Sequence, residues 1–282
     1  MSQQVGSVGV VGGGTMGIGI AYVFAMAGYA TTVVEPSETR ASQMFLEIAD
    51  AAAGAVRRGK LDGTAAQALQ SRILRVASVT ELSEGLALVV ETVPELVDLK
   101  LKTLAEIEAR RPLLIASNTS SISIDKLASV LDAPGAFLGM HFFNPVWSLG
   151  LVELIRGTRT AAVTLEAAQQ FVRAIGKESI VVADIAGFAT SRLDLIASLE
   201  AMRMLEDGVA SAADIDRAAE LAYRHPVGPL RLSDIVGLDV RLDIARQLEQ
   251  VYGERYRPPQ ILIDMVAAGY LGRKTGRGFH TW

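Results

Sequence analysis

The sequence predicts an α/β N-terminal region, built on a doubly wound and mostly parallel sheet, followed by an all-α C-terminal region. Three observations predict this fold class. A glycine-rich turn separates an apolar strand from a small-residue helix near the N-terminus, and strand-like and helical stretches then alternate to about residue 184. From Gly187 onward the chain contains long helical stretches and no convincing strand. Such alternation favours parallel strands with helices on both faces of the sheet.

The first predicted strand ends at Val11, and a helix from about Thr15 to Ala27 leads into the second strand, ATTVVE. These three elements form one βαβ unit of about thirty residues, the usual size for such a unit. A pair of helices rich in alanine, arginine and glutamate is expected at 36–74. The remaining predicted strands are β-rich runs: ALVVETV (87–93), PLLIASN (112–118), AFLGMHF (136–142), GLVELI (150–155) and SIVVAD (179–184).

The C-terminal region differs from the rest in texture, because its long stretches LDLIASLEAMRMLEDG and DVRLDIARQLEQVYG have helical composition. The change falls between 184 and 187. The sequence therefore predicts two domains, an α/β domain over 1–184, which carries the inserted helical pair, and a helical domain over 185–282.

Composition limits the function. The chain has 282 residues, is 50% hydrophobic and carries a formal net charge of −4, so it has no global field that attracts nucleic acid. It contains no cysteine, which excludes disulfides and thiolate metal sites, and we expect no metal. The N-terminus, MSQQVGSVGVVGGG, lacks the basic and apolar segments of a signal peptide or membrane span. We expect a cytoplasmic protein without a membrane partner.

The glycine-rich turn has the pattern Gly12-x-Gly14-x-x-Gly17, which is weak evidence when it occurs alone. Here it follows a strand and opens a helix at Thr15 and Met16. In that setting the glycines permit a tight turn, a close approach of backbone to a pyrophosphate, and close helix packing. The pattern indicates a dinucleotide site of the Rossmann type; an ordinary packed βα turn is the alternative.

Glu35 ends the second strand about twenty residues after the glycines, where a carboxylate accepts hydrogen bonds from the adenosine ribose. A carboxylate there repels a 2′-phosphate, so the sequence favours NAD over NADP. Arg40, a nearby cation, works against that preference. A solvated glutamate is the alternative interpretation.

The stretch HFFNPVWSLGLVE places His141 between apolar residues, with Glu153 twelve residues later on the next predicted strand. Adjacent strands would bring the Glu153 carboxylate to the imidazole, fixing its tautomer and leaving the other nitrogen as a general base. Without that partner, His141 is more simply a core histidine. Asn144 before Pro145 is either a turn residue or an amide donor to a carbonyl oxygen.

SNTSS (117–121) follows the apolar run PLLIA, at the strand end where open α/β sheets bind ligands. Ser121 or Ser123 is equally suited to cap the helix that DKLASVL predicts. For Ser120, a ligand contact and a loop position are evenly balanced on spacing alone.

Taken together, these motifs resemble the L-3-hydroxyacyl-CoA dehydrogenases, including the 3-hydroxybutyryl-CoA enzymes. The resemblance rests on GxGxxG before VVE, ASNTSS, HFFNP followed by LVE, HPVGPLRLSDIVGLD and KTGRGF, and it runs nearly from end to end. It implies NAD-dependent oxidation of the 3-hydroxyl of an acyl-CoA, as in the β-oxidation of fatty acids. It also implies a Rossmann domain and a helical C-terminal domain that forms a homodimer.

The resemblance assigns roles to single residues. His141 would be the base, Glu153 its orienting partner, and Ser120 a hydroxyl that contacts the reacting oxygen, while Asn144 matches the asparagine of HFFNP. Residues near the nicotinamide half of the cofactor would be Glu91, Glu95, Lys100 and Asn118. Without the resemblance, a strand-end surface charge for Glu91 and a solvated helix face for Lys100 are the simpler interpretations.

Arg57 and Lys60, in VRRGKL, match the position where the family binds CoA phosphates, and a cluster of cations suits that task. A solvated charge run is the alternative for Arg57 and its neighbour Arg58.

Two stretches depart from the family pattern, one at Ser191 and one at Trp147 to Gly150. AGFATSRL places Ser191 where an active-site asparagine is expected, and Trp147 follows HFFNPV where many members carry proline. Serine is shorter than asparagine, so we expect altered rather than abolished catalysis, with a water bridging the gap. Trp147 either shapes the acyl pocket or is simple packing.

Other functions remain open at this level. Related enzymes act on hydroxyadipyl-CoA or on the sugar acid gulonate, and some relatives, such as lens crystallins, are catalytically inactive NAD-binding proteins. A dehydrogenase of the phosphogluconate type is disfavoured, because those enzymes use a lysine in the helical domain and no lysine occurs between Glu178 and Arg273.

Overall fold

The computed structural model of the protein describes residues 6–282. The chain folds into two compact units, the first ending at Ile185 and the second comprising Ala186–Trp282. The expectation that the N-terminus carries no targeting segment concerns in part residues 1–5, which lie outside the described range.

The first unit contains an eight-stranded sheet with the order β3-β2-β1-β4-β5-β6-β7-β8. Its strands are β1 (Ser7–Val11), β2 (Ala30–Val34), β3 (Ile73–Val76), β4 (Leu88–Glu91), β5 (Ile115–Ser117), β6 (Phe137–Phe142), β7 (Leu151–Arg156) and β8 (Glu178–Ala183). Neighbouring strands are parallel except β6 and β7. The predicted doubly wound, mostly parallel sheet is confirmed.

Helices connect these strands: α1 (Thr15–Met26), α2 (Glu38–Arg57), α3 (Gly63–Ser71), α4 (Val97–Glu108), α5 (Ile124–Leu127) and α6 (Ala162–Ala174). Helix α1 is apolar on nearly all sides because it packs into the core, and nine of its twelve residues are buried. Strand β4, with the sequence LVVE, is buried throughout, as expected of a central parallel strand covered on both faces.

One boundary differs from the prediction. Ile73 and Leu74, assigned to the inserted helical pair at 36–74, lie in β3, which pairs with β2 at the edge of the sheet. Only Ile73 of this four-residue strand is buried. Its sequence, ILRV, is short and contains an arginine, so it lacks the continuous apolar run that identifies the central strands.

The second unit is helical, with α7 (Thr190–Glu206), α8 (Ala212–Tyr223), α9 (Pro229–Val236), α10 (Leu238–Tyr252) and α11 (Gln260–Ala267). Apolar side chains from α7, α9 and α10, including Leu199, Leu230 and Leu242, form its core. Among residues 6–282, none of the helices combines the length and the apolar composition that crossing a membrane requires.

Candidate active site

The turn between β1 and α1 needs glycine at two positions. Gly12 has φ +116°, and a Cβ on Gly17 would lie 1.9 Å from the Gly12 carbonyl oxygen. A Cβ on Gly14 would meet nothing within 4 Å, so the turn is open on that side. The first N–H groups of a helix, here those of Thr15 and Met16 in α1, have no intrahelical acceptor, and no side chain caps them. The turn therefore fits the pyrophosphate of a dinucleotide.

Glu35 lies directly after β2 and beside this turn. Its carboxylate accepts hydrogen bonds from the N–H groups of Gly13 (3.1 Å) and Ser37 (2.9 Å). Next to it is a cavity of about 400 Å³ whose lining includes Val11, Gly12, Val34, Pro36, Ser78 and Val93. Mostly apolar walls beside a carboxylate are suited to an adenine ring with its ribose.

A buried ion pair lies at the carboxyl end of β4. The Lys100 ammonium is 2.8 Å from Oε1 of Glu91 and 3.2 Å from Oε2 of Glu95. The side chains of Lys100 and Glu91 are 1% and 0% exposed, so their charges depend on each other. The hydroxyl of Ser117, at the end of β5, donates to the other oxygen of Glu91 at 2.5 Å.

Glu95 connects this ion pair to the loop after β5. Its Oε1 accepts hydrogen bonds from the Thr119 hydroxyl and from the N–H groups of Ser120 and Ser121. Burial alone raises the pKa of the Glu95 carboxyl, but the hydrogen bonds and the Lys100 charge outweigh burial and hold that pKa below its ordinary value. The carboxylate thus fixes the position of the serine-rich loop.

A second cavity, of about 290 Å³, brings six of the sequence-predicted site residues together. Its lining comprises Met16, Thr92, Val93, Glu95, Lys100, Asn118, Ser120, His141 and Phe142. The amide oxygen of Asn118 accepts from the Phe142 N–H at 2.8 Å, which joins the ends of β5 and β6. Polar groups from three strand ends converge here, as expected at the carboxyl edge of an open sheet.

His141 and Glu153 are direct partners in the antiparallel β6–β7 pair. The imidazole Nδ1 is 2.8 Å from Oε2 of Glu153, and both side chains are buried, Glu153 completely. Side chains of directly opposed strand residues point to the same face, which explains the contact. The ring of Phe143 lies 4.5 Å from the imidazole, centroid to centroid. The pair has the geometry that a carboxylate-oriented base requires.

The loop after β6 carries Asn144 and Trp147, both exposed. The buried Lys177 ammonium holds this loop by donating to the carbonyls of Val146 (2.6 Å) and Leu149 (2.5 Å). Burial lowers the pKa of the Lys177 ammonium. Trp147 packs against Tyr22 of α1 at 5.6 Å between ring centroids. Asn144 does not line either cavity.

Three predicted residues lie elsewhere. Arg57 ends α2, and Lys60 follows it in the turn; both are exposed, and neither lines the two cavities described above. Ser191 is the second residue of α7 and belongs to the second unit. Within residues 6–282, no group of three or more His, Cys, Asp or Glu side chains has a geometry that could hold a metal ion.

Sequence reasoning missed Thr92 and Lys177. The Thr92 hydroxyl donates to the carbonyls of Val11 and Gly12, so it supports the glycine turn from the end of β4. Thr92 directly follows Glu91 at the carboxyl end of a predicted strand, and that position could have indicated a site residue. Lys177 had none, because its two acceptors are 28 and 31 residues away in sequence.

Comparisons with known proteins agree with this geometry. Residues 7–185 match the family described as 3-hydroxyacyl-CoA dehydrogenase, NAD binding domain, and residues 187–282 match the C-terminal domain of the same enzymes. A 3-hydroxybutyryl-CoA dehydrogenase of Bradyrhizobium diazoefficiens is 39% identical, with 100% of this chain and 97% of that protein covered. One from Mycobacterium tuberculosis is also 39% identical, with both chains covered completely.

A solved structure leads to the same family. The crystal structure of the (S)-3-hydroxybutyryl-CoA dehydrogenase from Ralstonia eutropha superposes with a TM-score of 0.94 at 38% identity, covering 99% of each chain. The predicted resemblance and the predicted NAD cofactor are both confirmed. The chain belongs to the 3-hydroxyacyl-CoA dehydrogenase family and is an NAD-dependent oxidoreductase.

Proposed function

We propose that the protein oxidises the 3-hydroxyl of an L-3-hydroxyacyl-CoA to the 3-oxoacyl-CoA, with 3-hydroxybutyryl-CoA in its substrate range. The observation that carries this proposal is the buried His141–Glu153 pair, 2.8 Å apart, at a cavity that Lys100, Asn118 and Ser120 also line. The names of the two relatives at 39% identity support the substrate.

His141 acts as the general base. The Glu153 carboxylate accepts a hydrogen bond from Nδ1–H, which favours the tautomer in which Nε2 carries the lone pair. Nε2 takes the proton of the substrate hydroxyl while the hydrogen on C3 leaves with its electron pair and the C–O bond becomes a carbonyl. NAD, when bound, would supply the hydride acceptor. Glu153 then stabilises the imidazolium that His141 has become.

Ser120 and Asn144 position the reacting oxygen in this proposal. The Ser120 side chain is exposed at the cavity, and Glu95 fixes its backbone through the 3.0 Å bond from the Ser120 N–H. A hydroxyl held in this way donates to an oxygen as negative charge develops on it. Asn144 would donate to the same oxygen only by extending from the loop that Lys177 holds, because its exposed side chain does not line the cavity.

Residues of the first unit would contact NAD along its whole length, from the adenosine to the nicotinamide. Gly12, Gly14 and Gly17, with Thr15 and Met16, would face the pyrophosphate, and Glu35 would accept from the adenosine ribose. At the nicotinamide end, the Glu91–Lys100 pair with Glu95 and Asn118 would form the wall of the site. The open face at Gly14 supports this placement.

Arg57 and Lys60 would bind the phosphates of CoA. Both cations are exposed at the end of α2. Their long side chains can form charge-assisted hydrogen bonds with the CoA phosphates at the protein surface. A charge reversal at Arg57 should raise the KM for acyl-CoA and leave turnover at saturation unchanged.

The second unit would form a homodimer. Several large apolar side chains of this unit are exposed, which is a feature of surfaces buried by association. These residues are Leu193, Val209, Leu221, Tyr223 and Val251. Sedimentation velocity should give the mass of two chains, whereas a monomer at micromolar concentration would refute this part of the proposal.

The test of the proposed activity is NAD reduction with a panel of substrates. Rapid reduction with (S)-3-hydroxybutyryl-CoA would support the assignment. Preference for a dicarboxylic 3-hydroxyacyl-CoA or for gulonate would indicate that Trp147 has reshaped the acyl pocket. No turnover with any of them, despite NAD binding, would identify a catalytically inactive relative and direct attention to Ser191.

A further inference from the structure

Two arginines flank the loop that carries Glu35. Arg40 Nε donates to the Gly13 carbonyl at 2.7 Å, on one side of the Glu35 carboxylate. On the other side, Arg75 Nε donates to the Glu35 carbonyl at 2.8 Å and Nη2 to the Pro36 carbonyl at 3.1 Å. Both guanidinium groups therefore lie beside the position proposed for the adenosine ribose.

The N-terminus of α2 adds to this positive potential. The helix begins at Glu38, and the Ser37 hydroxyl caps it by accepting from the Arg40 N–H at 3.2 Å. A helix N-terminus and guanidinium groups are the two elements that proteins use most often to bind phosphate. The junction of β2 and α2 thus contains the parts of a phosphate site.

Each of the two guanidinium groups forms an ion pair with a carboxylate of α2. Glu47 makes a bidentate pair with Arg40, with contacts of 2.7 and 3.2 Å, and Glu38 lies 2.6 Å from Arg75. The hydrogen bond to Arg40 holds the pKa of the Glu47 carboxyl below its ordinary value. Bidentate pairs fix the guanidinium plane, so Arg40 is directed along α2 towards Glu47.

We propose that Glu47 is a second determinant of the preference for NAD, because its carboxylate occupies the Arg40 guanidinium that would otherwise bind a 2′-phosphate. Glu35 repels that phosphate directly, whereas Glu47 withholds the cation that would bind it. Arg40 is then a latent ligand for the 2′-phosphate of NADP. This inference rests on the proposed placement of the ribose at Glu35.

The test measures cofactor binding. NADH and NADPH are titrated into the full chain, and affinity is followed by nicotinamide fluorescence, without acyl-CoA and without turnover. We expect E35S to lower the ratio of NADH affinity to NADPH affinity. Adding E47A should strengthen NADPH binding about tenfold further, the size of one charge-assisted contact, and leave NADH affinity unchanged.

Three further variants isolate the role of Arg40. Asp50 is exposed on the same helix, so D50A in the E35S background removes the same charge without releasing Arg40. We expect D50A to leave NADPH affinity within about twofold, because salt screens an exposed surface charge. Adding R40A to E35S/E47A should abolish the gain. E47Q, which keeps the side-chain length, should give a smaller gain in the same direction.

The possible failures are distinguishable. If E35S leaves the ratio of the two affinities unchanged, the ribose does not lie at Glu35, and the placement and this inference fall together. If E35S lowers that ratio but E47A adds nothing, or adds no more than D50A, only the inference is overturned. A gain that persists in the R40A variant overturns it as well.

Discussion

Two of the three histidines in the chain pair with a carboxylate, and the two pairs have different surroundings. His141 meets Glu153 across two strands of the first unit, at 2.8 Å, and lines a cavity. His280 meets Asp216 in the second unit, through Nε2 at 2.7 Å. By distance and burial alone, the two pairs are nearly equivalent.

Their other contacts separate them. Asp216 also accepts from the N–H groups of Leu230 and Arg231, at the start of α9. The backbone N–H of His280 donates to Asp234, which also binds the indole of Trp282. This second pair anchors the C-terminal residues to the helices. We therefore expect the base at His141, whose ring lines a cavity, and a structural role for His280.

The largest expected effect comes from the carboxylate of the first pair. E153Q keeps the size of the side chain but removes the charge that orients and stabilises the imidazole. We expect kcat to fall by about 10²–10⁴-fold, the usual contribution of acid–base catalysis, with NADH affinity unchanged. Steady-state kinetics and a NADH titration measure the two quantities. A kcat within about threefold of wild type would show that Glu153 does not orient the base.

The buried ion pair gives the largest expected effect on stability. K100M leaves the Glu91 carboxylate buried without its cation and should reduce the free energy of unfolding by about 3–5 kcal/mol. K102M, on the same helix at an exposed position, is the matched control, with an expected change within about 0.5 kcal/mol. Urea unfolding compares them. Equal losses would mean that the buried pair contributes no more than a surface lysine.

The carboxylate of the second pair should affect stability alone. D216N weakens three charge-assisted hydrogen bonds, so we expect a loss of about 1.5–3 kcal/mol in the free energy of unfolding. Turnover per folded molecule should remain within about twofold of wild type. A fall in kcat as large as that of E153Q would show that this pair also serves catalysis, and the contrast between the pairs would fail.

Ser191 gives the smallest expected effect. S191A removes one hydroxyl from the position where the family pattern has an asparagine, and we expect kcat/KM to fall about fivefold, the size of one neutral hydrogen bond. S191T, which keeps the hydroxyl, is the control and should retain most of the activity. An unchanged kcat/KM in S191A would show that the Ser191 hydroxyl does not contribute to turnover.

Much of the fold and of the candidate site was predictable from the sequence, because it depends on residues close in sequence or on neighbouring strands. The glycine turn with Glu35 follows from spacing along one βαβ unit, and the contact between His141 and Glu153 follows from the pairing of neighbouring strands. Strand β3 was missed because its sequence is short and only partly buried. Contacts set by tertiary packing, such as Lys177 to the loop after β6, leave no pattern in the sequence.

The pairing of Arg40 with Glu47 shows the same limit at shorter range. The sequence indicated that Arg40 opposes a preference for NAD, but not which partner its guanidinium selects. Two turns of helix separate the residues, and which rotamers meet depends on the anchor that the Gly13 carbonyl provides. The spacing along the sequence therefore predicted a cation near Glu35, whereas the partner of that cation, Glu47, depends on side-chain packing.

We propose that His141, and not His280, is the base. The most direct measurement compares NADH formation by H141Q and H280Q with (S)-3-hydroxybutyryl-CoA, alongside the NADH affinity of each variant. We predict that H141Q binds NADH as wild type does and loses about 10²–10⁴-fold in kcat, whereas H280Q retains turnover and loses only stability. Retained turnover in H141Q, or an equal loss in both variants, would contradict the account.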